Sequence, residues 1–258
     1  MINRETFEKS IKREMTRDKF VEIRDHVYGD GINTFNYTYG EVSSWLTWNR
    51  NENGQIASVQ PPTAEYTHRG HKYDGPIDKW DQDKLPGFAS RITTDVVFVG
   101  LNMAGDGTPF KDSAGNIWTS FQNARGHRKI VHTFFNTAAE GAYFTDIIKP
   151  DKRFLNNIGN PANSTEVMQI VGARRDVLND HIRLFIKELD FIGAVKPLLI
   201  VFGSQAAWIL NQGMDNNFRK KRFSDIVEIW HYAFVNKGGD EGYKEDTRRK
   251  LAPYIMIP

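Results

Sequence analysis

Cysteine is absent from the 258 residues. Disulfides, thiolate zinc sites, cysteine nucleophiles and cysteine-held iron–sulfur clusters are therefore excluded together. Long apolar runs are missing as well: nothing approaches the ~18 consecutive residues that a membrane-spanning helix needs. The opening stretch, Met1 to Ser10, is charged rather than apolar, which argues against a secretory leader and for a cytoplasmic protein. Charge of one sign is also lacking, because 34 Lys and Arg face 32 Asp and Glu, a net of +2. Binding to a polyanion must then come from a local patch. What remains is ordinary for a folded globular chain, with 40% hydrophobic and 26% charged residues. No internal repeat divides it, and residues 1–258 read as a single domain.

Residues 5–27 carry Phe7, Ile11, Phe20, Ile23 and Val27 at helical spacing among charged positions, which predicts an N-terminal helix. From Tyr28 to about Ser90 the chain is rich in Gly, Asn, Pro and Asp, with short aromatic pieces such as Trp45, Leu46 and Trp48. It reads as loops with short helices or strands, so that residues 1–90 form an extension that would cover an edge of the core. His68 and His71 lie there without a carboxylate-rich helix around them and read as a solvated loop rather than a metal pair.

Residues 91–258 have a clearer rhythm. Val96 to Val99, Tyr143 to Ile148, Leu198 to Phe202 and Val227 to Phe234 are apolar, β-rich runs, as strands covered on both faces require. Between them, residues 118–137 and 164–192 carry apolar side chains at helical intervals, and Ser204 is placed to cap a short helix over Gln205 to Leu210. The alternation predicts an α/β fold: a three-layer α/β/α sandwich around a mostly parallel four-stranded sheet. In such sheets the ligand crevice lies at the C-terminal strand ends.

Those ends read Gly100-Leu101-Asn102-Met103-Ala104-Gly105, Thr145-Asp146, Gly203-Ser204-Gln205-Ala206 and Trp230-His231-Tyr232-Ala233. In order and spacing over residues 96–250 they resemble the uracil-DNA glycosylase superfamily. Its first strand ends in a Gly-x-Asn-Pro-Gly type loop, a middle strand in Asn, a third in Gly-Ser-x-Ala, and its last segment is His-Pro-Ser. The resemblance implies hydrolysis of an N-glycosidic bond in single- or double-stranded DNA by a monomer that needs no metal or organic cofactor. It assigns water positioning to Asn102 and support of the leaving base to His231. Leu101, Asp146, Phe110, Trp118 and Phe121 would contact the base, the three aromatics as stacking rings. Ser204 and Gln205 would hold a phosphate at a helix N-terminus, with Arg219, Lys220, Lys221 and Arg222 flanking the strand.

This chain departs from the pattern in three places. Met103-Ala104-Gly105 replaces Pro-Gly, Tyr232-Ala233 replaces Pro-Ser, and Asp146 stands where the family has Asn. A carboxylate only accepts hydrogen bonds unless it is protonated, so Asp146 would favour an exocyclic amino group over a uracil carbonyl. Its rival role is to cap a turn, paired with Lys149 or a neighbour. Each remaining residue has a plainer role beside the functional one: His231 as a hydrogen-bonded strand-end residue, Asn102 as a turn former, the basic runs 219–222 and 248–250 as solvated faces. A module that keeps the fold and binds nucleic acid or protein without catalysis is the alternative, and cleavage of a free nucleoside is a third.

Overall fold

The computed structural model describes residues 3–29, 32–34, 36–46, 91–102, 127–154, 163–233 and 239–258. Five strands form one sheet: β1 (Ser44–Trp45), β2 (Thr93–Asn102), β3 (Ala142–Ile148), β4 (Leu198–Phe202) and β5 (Asp225–Ile229). Their spatial order is β1-β3-β2-β4-β5. The β3–β2, β2–β4 and β4–β5 pairs are parallel, whereas β1 adds antiparallel to the outer side of β3. The sheet is thus mixed and five-stranded rather than four-stranded. The fifth strand comes from the N-terminal segment, whose two residues shield the open edge of β3.

Strand parity explains why continuous apolar runs were needed. Val97, Val99 and Leu101 of β2 enter one buried cluster with Tyr143 and Ile147, Leu199 and Val201. Val96 and Phe98 enter another with Phe144, Leu198, Ile200 and Phe202. Successive side chains point to opposite faces, so each strand must be apolar at both parities to serve two cores.

Helices contribute to each cluster. The first takes residues from α2 (Arg17–Asp25), α3 (Tyr39–Val42), α5 (Ser164–Ala173), α6 (Arg175–Phe191) and α7 (Gly203–Gly213). The second takes them from α1 (Arg4–Ser10), α4 (His127–Phe134) and α9 (Gly239–Leu251). A further short helix, α8 (Asn216–Arg222), joins α7 to β5. Within the second cluster the rings of Phe98, Phe144 and Phe202 stack across three strands, with centroids 5.2–5.6 Å apart.

Several boundaries differ from the sequence expectation. The helix expected over 5–27 is two helices, capped separately by Asn3 and Thr16. The intervening chain is drawn out because Arg13 reaches the core, its guanidinium donating to the main-chain oxygens of Glu140 (2.6 Å) and Ala138 (2.8 Å). The helix expected over 164–192 breaks at Arg174, which has a non-helical backbone (φ −124°, ψ 89°). Its true N-cap is Asn163, which forms a capping box with Glu166; Ser164 is already inside the first turn. Of the helix expected over 118–137, the described part is α4, and residues 103–126 lie outside the described residues. The last strand starts at Asp225 and ends at Ile229, so Trp230 and His231 follow it rather than lie within it; Phe234 lies outside the described residues.

Candidate functional site

The sheet order determines where a crevice can open. The chain passes from β2 to β3 on one side and then crosses to β4 on the other. The next described helix after β2 is α4, in the Phe98 cluster, while β4 runs into α7, in the Val99 cluster. Where elements leave neighbouring strands toward opposite faces, the rule for open α/β sheets calls for a crevice at the C-terminal ends, here between β2 and β4. Asn102 closes β2 and Gly203 follows β4, with His231 one strand further on.

Asn102 is still within the sheet, opposite Ile148 of β3. Its side-chain carbonyl accepts a hydrogen bond from the Ser164 hydroxyl at 3.1 Å, which ties the amide to the start of α5. Leu101, assigned by the resemblance to the base, is only 6% exposed and belongs to the core on the α7 side. Its odd parity turns it from the face that carries Phe98.

Asp146 is likewise a strand residue, paired with Gly100 and 5% exposed. The turn-capping reading therefore does not hold. Lys149 approaches the main-chain oxygen of Asp146 (3.0 Å), but its ion pair is with Glu188 at 2.8 Å. Asp146 has the parity of Phe144, whereas Glu188 comes from α6 on the other face of the sheet. Glu188 receives the hydroxyls of Tyr143 (3.0 Å) and Thr145 (2.8 Å), and a cavity of about 10 Å³, enough for one water, lies beside it between Tyr28, Tyr39, Lys149 and His181. Asp146 instead faces the Phe144 side; burial, and after it the neighbouring Asp146 charge, raises the pKa of the Tyr232 phenol. Burial pushes the Asp146 carboxyl up to about 7; the Lys149 cation opposes this and Glu188 reinforces it. Near neutral pH the group is then divided between an acid that donates and a carboxylate that only accepts.

His231 is locked between neighbours. Its ring lies on Tyr232 (centroids 4.5 Å, planes 27° apart). Tyr232 in turn stands edge-on to Phe202 (5.0 Å) and Phe144 (6.4 Å), at the top of the aromatic stack. Gly203 has φ +81°, and a Cβ there would sit 3.4 Å from the His231 Cβ, so a left-handed glycine lets the two segments meet. The Nδ1 of His231 accepts the main-chain N–H of Ala233 at 3.1 Å. An accepting Nδ1 carries no proton, so the neutral ring bears its hydrogen on Nε2. Burial lowers the pKa of the ring, keeping it in that neutral form.

The remaining expected residues divide by position. Ser204 and Gln205 are exposed in the first turn of α7. Ser204 is not the cap: the helix begins at Gly203, with Phe202 at the cap position and no side chain capping it. The first-turn N–H groups are thus open to an anion. Residues 219–222 sit at the opposite, N-terminal end of the strands, where α8 leads into the start of β5. Arg222 is tied there to the oxygens of Ala194 and Val195 (both 2.6 Å) and to Asp190 (2.9 Å), and Arg219 to Asn211; Lys220 and Lys221 are exposed. Phe110, Trp118 and Phe121, like His68 and His71, lie outside the described residues.

Sequence reasoning missed Tyr232 as part of the site, having read it only as a departure from Pro. Its signal was the aromatic residue directly after His231. Among the described residues no group of three or more His, Asp or Glu is placed to hold a metal, and no helix is long and apolar enough to cross a membrane.

Compared with known proteins, the chain matches no protein-family model, and no curated protein matches it. The reading of the site rests on its own geometry.

Proposed function

We propose that the protein is a DNA-base glycosylase of the uracil-DNA glycosylase type, a three-layer α/β/α hydrolase that removes a damaged or modified base. The observation that carries this reading is the neutral His231, its Nδ1 occupied by Ala233 and its proton on Nε2, set against Gly203 at the end of β4, where a sheet of this order calls for a crevice. Breaking the N-glycosidic bond leaves negative charge on the departing base, and a fixed donor at the base oxygen lowers that barrier. A neutral imidazole supplies such a donor without a proton to lose first.

In this mechanism water adds to the sugar carbon, the N-glycosidic electron pair leaves with the base, His231 stabilises the resulting base anion through Nε2–H, and the proton lost by the water neutralises the departed base. Asn102, its rotamer held by Ser164, orients the water. Asp146 reads the base edge. Because its carboxyl titrates at about 7, it accepts an amino group when ionised and pairs with a carbonyl when protonated, so substrate choice varies with pH. Open N–H groups at the start of α7, with Ser204 and Gln205, hold a backbone phosphate. Arg219 and Arg222 serve the fold at the opposite end of the strands, away from the cleft.

The test is an oligonucleotide panel carrying uracil, hypoxanthine and oxidised or methylated bases, single- and double-stranded, with abasic product read by alkaline strand cleavage. Wild type should release at least one base. Asn102→Ala and His231→Ala should each slow release by about 10²–10³-fold, the usual effect of losing one such group, with unchanged circular dichroism. Full activity in both variants removes the assignment. One observation favours a non-catalytic binding module instead: the Asn102 carbonyl is already engaged by Ser164. Tight binding with no abasic product from any base would support that module.

A further inference from the structure

The outer face of α7 carries a pattern that neither packing nor catalysis uses. Its exposed residues are Ser204, Gln205, Trp208, Asn211 and Gln212. At 100° per residue these occupy one stripe of the helix, opposite the buried Ala206, Ala207, Ile209 and Leu210. The helix bears no charged side chain, so nothing on this stripe repels an anion. Trp208 is 38% exposed in its middle, where an amphipathic helix would ordinarily present a charged or small polar residue.

The stripe has cations at one end and the cleft at the other. Asn211, one turn beyond Trp208, accepts from the Arg219 guanidinium, which joins the stripe to the basic helix α8 and its exposed Lys220 and Lys221. At the opposite end, Gly203 lies against His231. Trp230, beside His231, is 36% exposed. Continuing the alternation of β5, Trp230 falls on the side of Ile226, which packs against the same cluster as α7. Two exposed indoles, a face of amides and hydroxyls, and a cationic terminus are thus joined through α7, whose 11 residues span about 16 Å.

We propose that this track, from Trp230 past Ser204 and Trp208 to Lys220, binds single-stranded DNA, with Trp208 and Trp230 as stacking platforms and α8 as the phosphate anchor. The proposal deepens the glycosylase reading and rests on it for the choice of DNA. Its chemistry is that of sequence-tolerant strand binding: aromatic faces accept any base, and cations follow the backbone. A duplex keeps its bases stacked on one another and offers nothing to an indole, so the track selects unpaired strands. It also gives Lys220 and Lys221 a phosphate role away from the cleft.

The experiment uses the full chain and a fluorescein-labelled oligothymidylate 12-mer, with fluorescence anisotropy at two salt concentrations and the paired duplex as competitor. Wild type should bind the 12-mer and prefer it to the duplex. Trp208→Ala, an exposed position whose loss leaves the core intact, should weaken binding by about 5-fold to 100-fold. Lys220→Ala with Lys221→Ala should flatten the dependence of log affinity on log salt by about 0.7 for each phosphate no longer neutralised. No binding by wild type, wild-type affinity in both variants, or a self-associating chain that buries Trp208 and excludes the 12-mer would each overturn the proposal. The two readings fail separately. Strand binding that Trp208→Ala weakens, with no base released, ends the glycosylase assignment alone; base release with normal affinity in Trp208→Ala ends the track alone.

Discussion

Replacing Asp146 with asparagine isolates the electrostatic state of the cleft from everything else. The carboxyl is 5% exposed and titrates at about 7 when folded, against ~3.9 in an unfolded chain. A folded value above the unfolded one means that the native state binds the proton more tightly. The resulting stabilisation is complete below about pH 4 and is lost as pH rises through about 7. At pH 5 the folded group keeps its proton while the unfolded one has released it, a gap of about two units, or ~2.7 kcal/mol at ~1.36 kcal/mol per unit. At pH 9 both states are ionised and nothing of it is left. Asparagine has no such dependence. Urea unfolding at pH 5 and pH 9 should therefore show the stability difference between D146N and wild type moving by roughly 3 kcal/mol in favour of D146N at the higher pH. A difference that stays constant within about 0.5 kcal/mol would refute burial as the cause of the shift.

The Lys149–Glu188 pair is buried on both sides (5% and 1%), so Glu188→Ala should cost about 3–5 kcal/mol in urea unfolding by stranding the lysine, while Glu188→Leu with Lys149→Met should recover most of it; equal losses in both would show that the pair, and not the stranded charge, is what matters. Nitrogen-15 NMR of His231 should show a neutral ring protonated at Nε2 that titrates below the ordinary histidine value near 6.5; a proton on Nδ1 at pH 7 would contradict the Ala233 hydrogen bond and the leaving-group role together.

Much of the framework was legible because it follows from local rules. Apolar runs foreshadowed the buried central strands, and β4 falls on Leu198–Phe202 as its pattern predicts, whereas the run expected over Val227 to Phe234 is an edge strand, Asp225–Ile229, that leaves Asp225 and Glu228 exposed. Helix ends were less legible. Periodicity runs unbroken through 5–27 and 164–192, yet Arg13 is pulled toward carbonyls more than a hundred residues away, and no local window contains that pull. Likewise, the β1 edge strand has only two residues and exists because β3 offers it an open side.

At the candidate site the sequence determined which polar residues fall at or near the strand ends: Asn102 closes β2, Ser204 and His231 come just after β4 and β5, and Asp146 lies two residues inside the end of β3. Only tertiary structure decided what those groups are chemically. Two carboxylates lie near Lys149, but the docking of α6 against β3 gives the lysine to Glu188, and burial raises the pKa of Asp146. His231 is one of 7 histidines, and its tautomer comes from a turn that brings the Ala233 N–H to Nδ1. Arg219 and Arg222 read as a phosphate clamp until the end of the sheet they occupy is known. Sequence sets the inventory of side chains because hydrophobic periodicity is local; protonation, pairing and exposure depend on neighbours that only folding supplies.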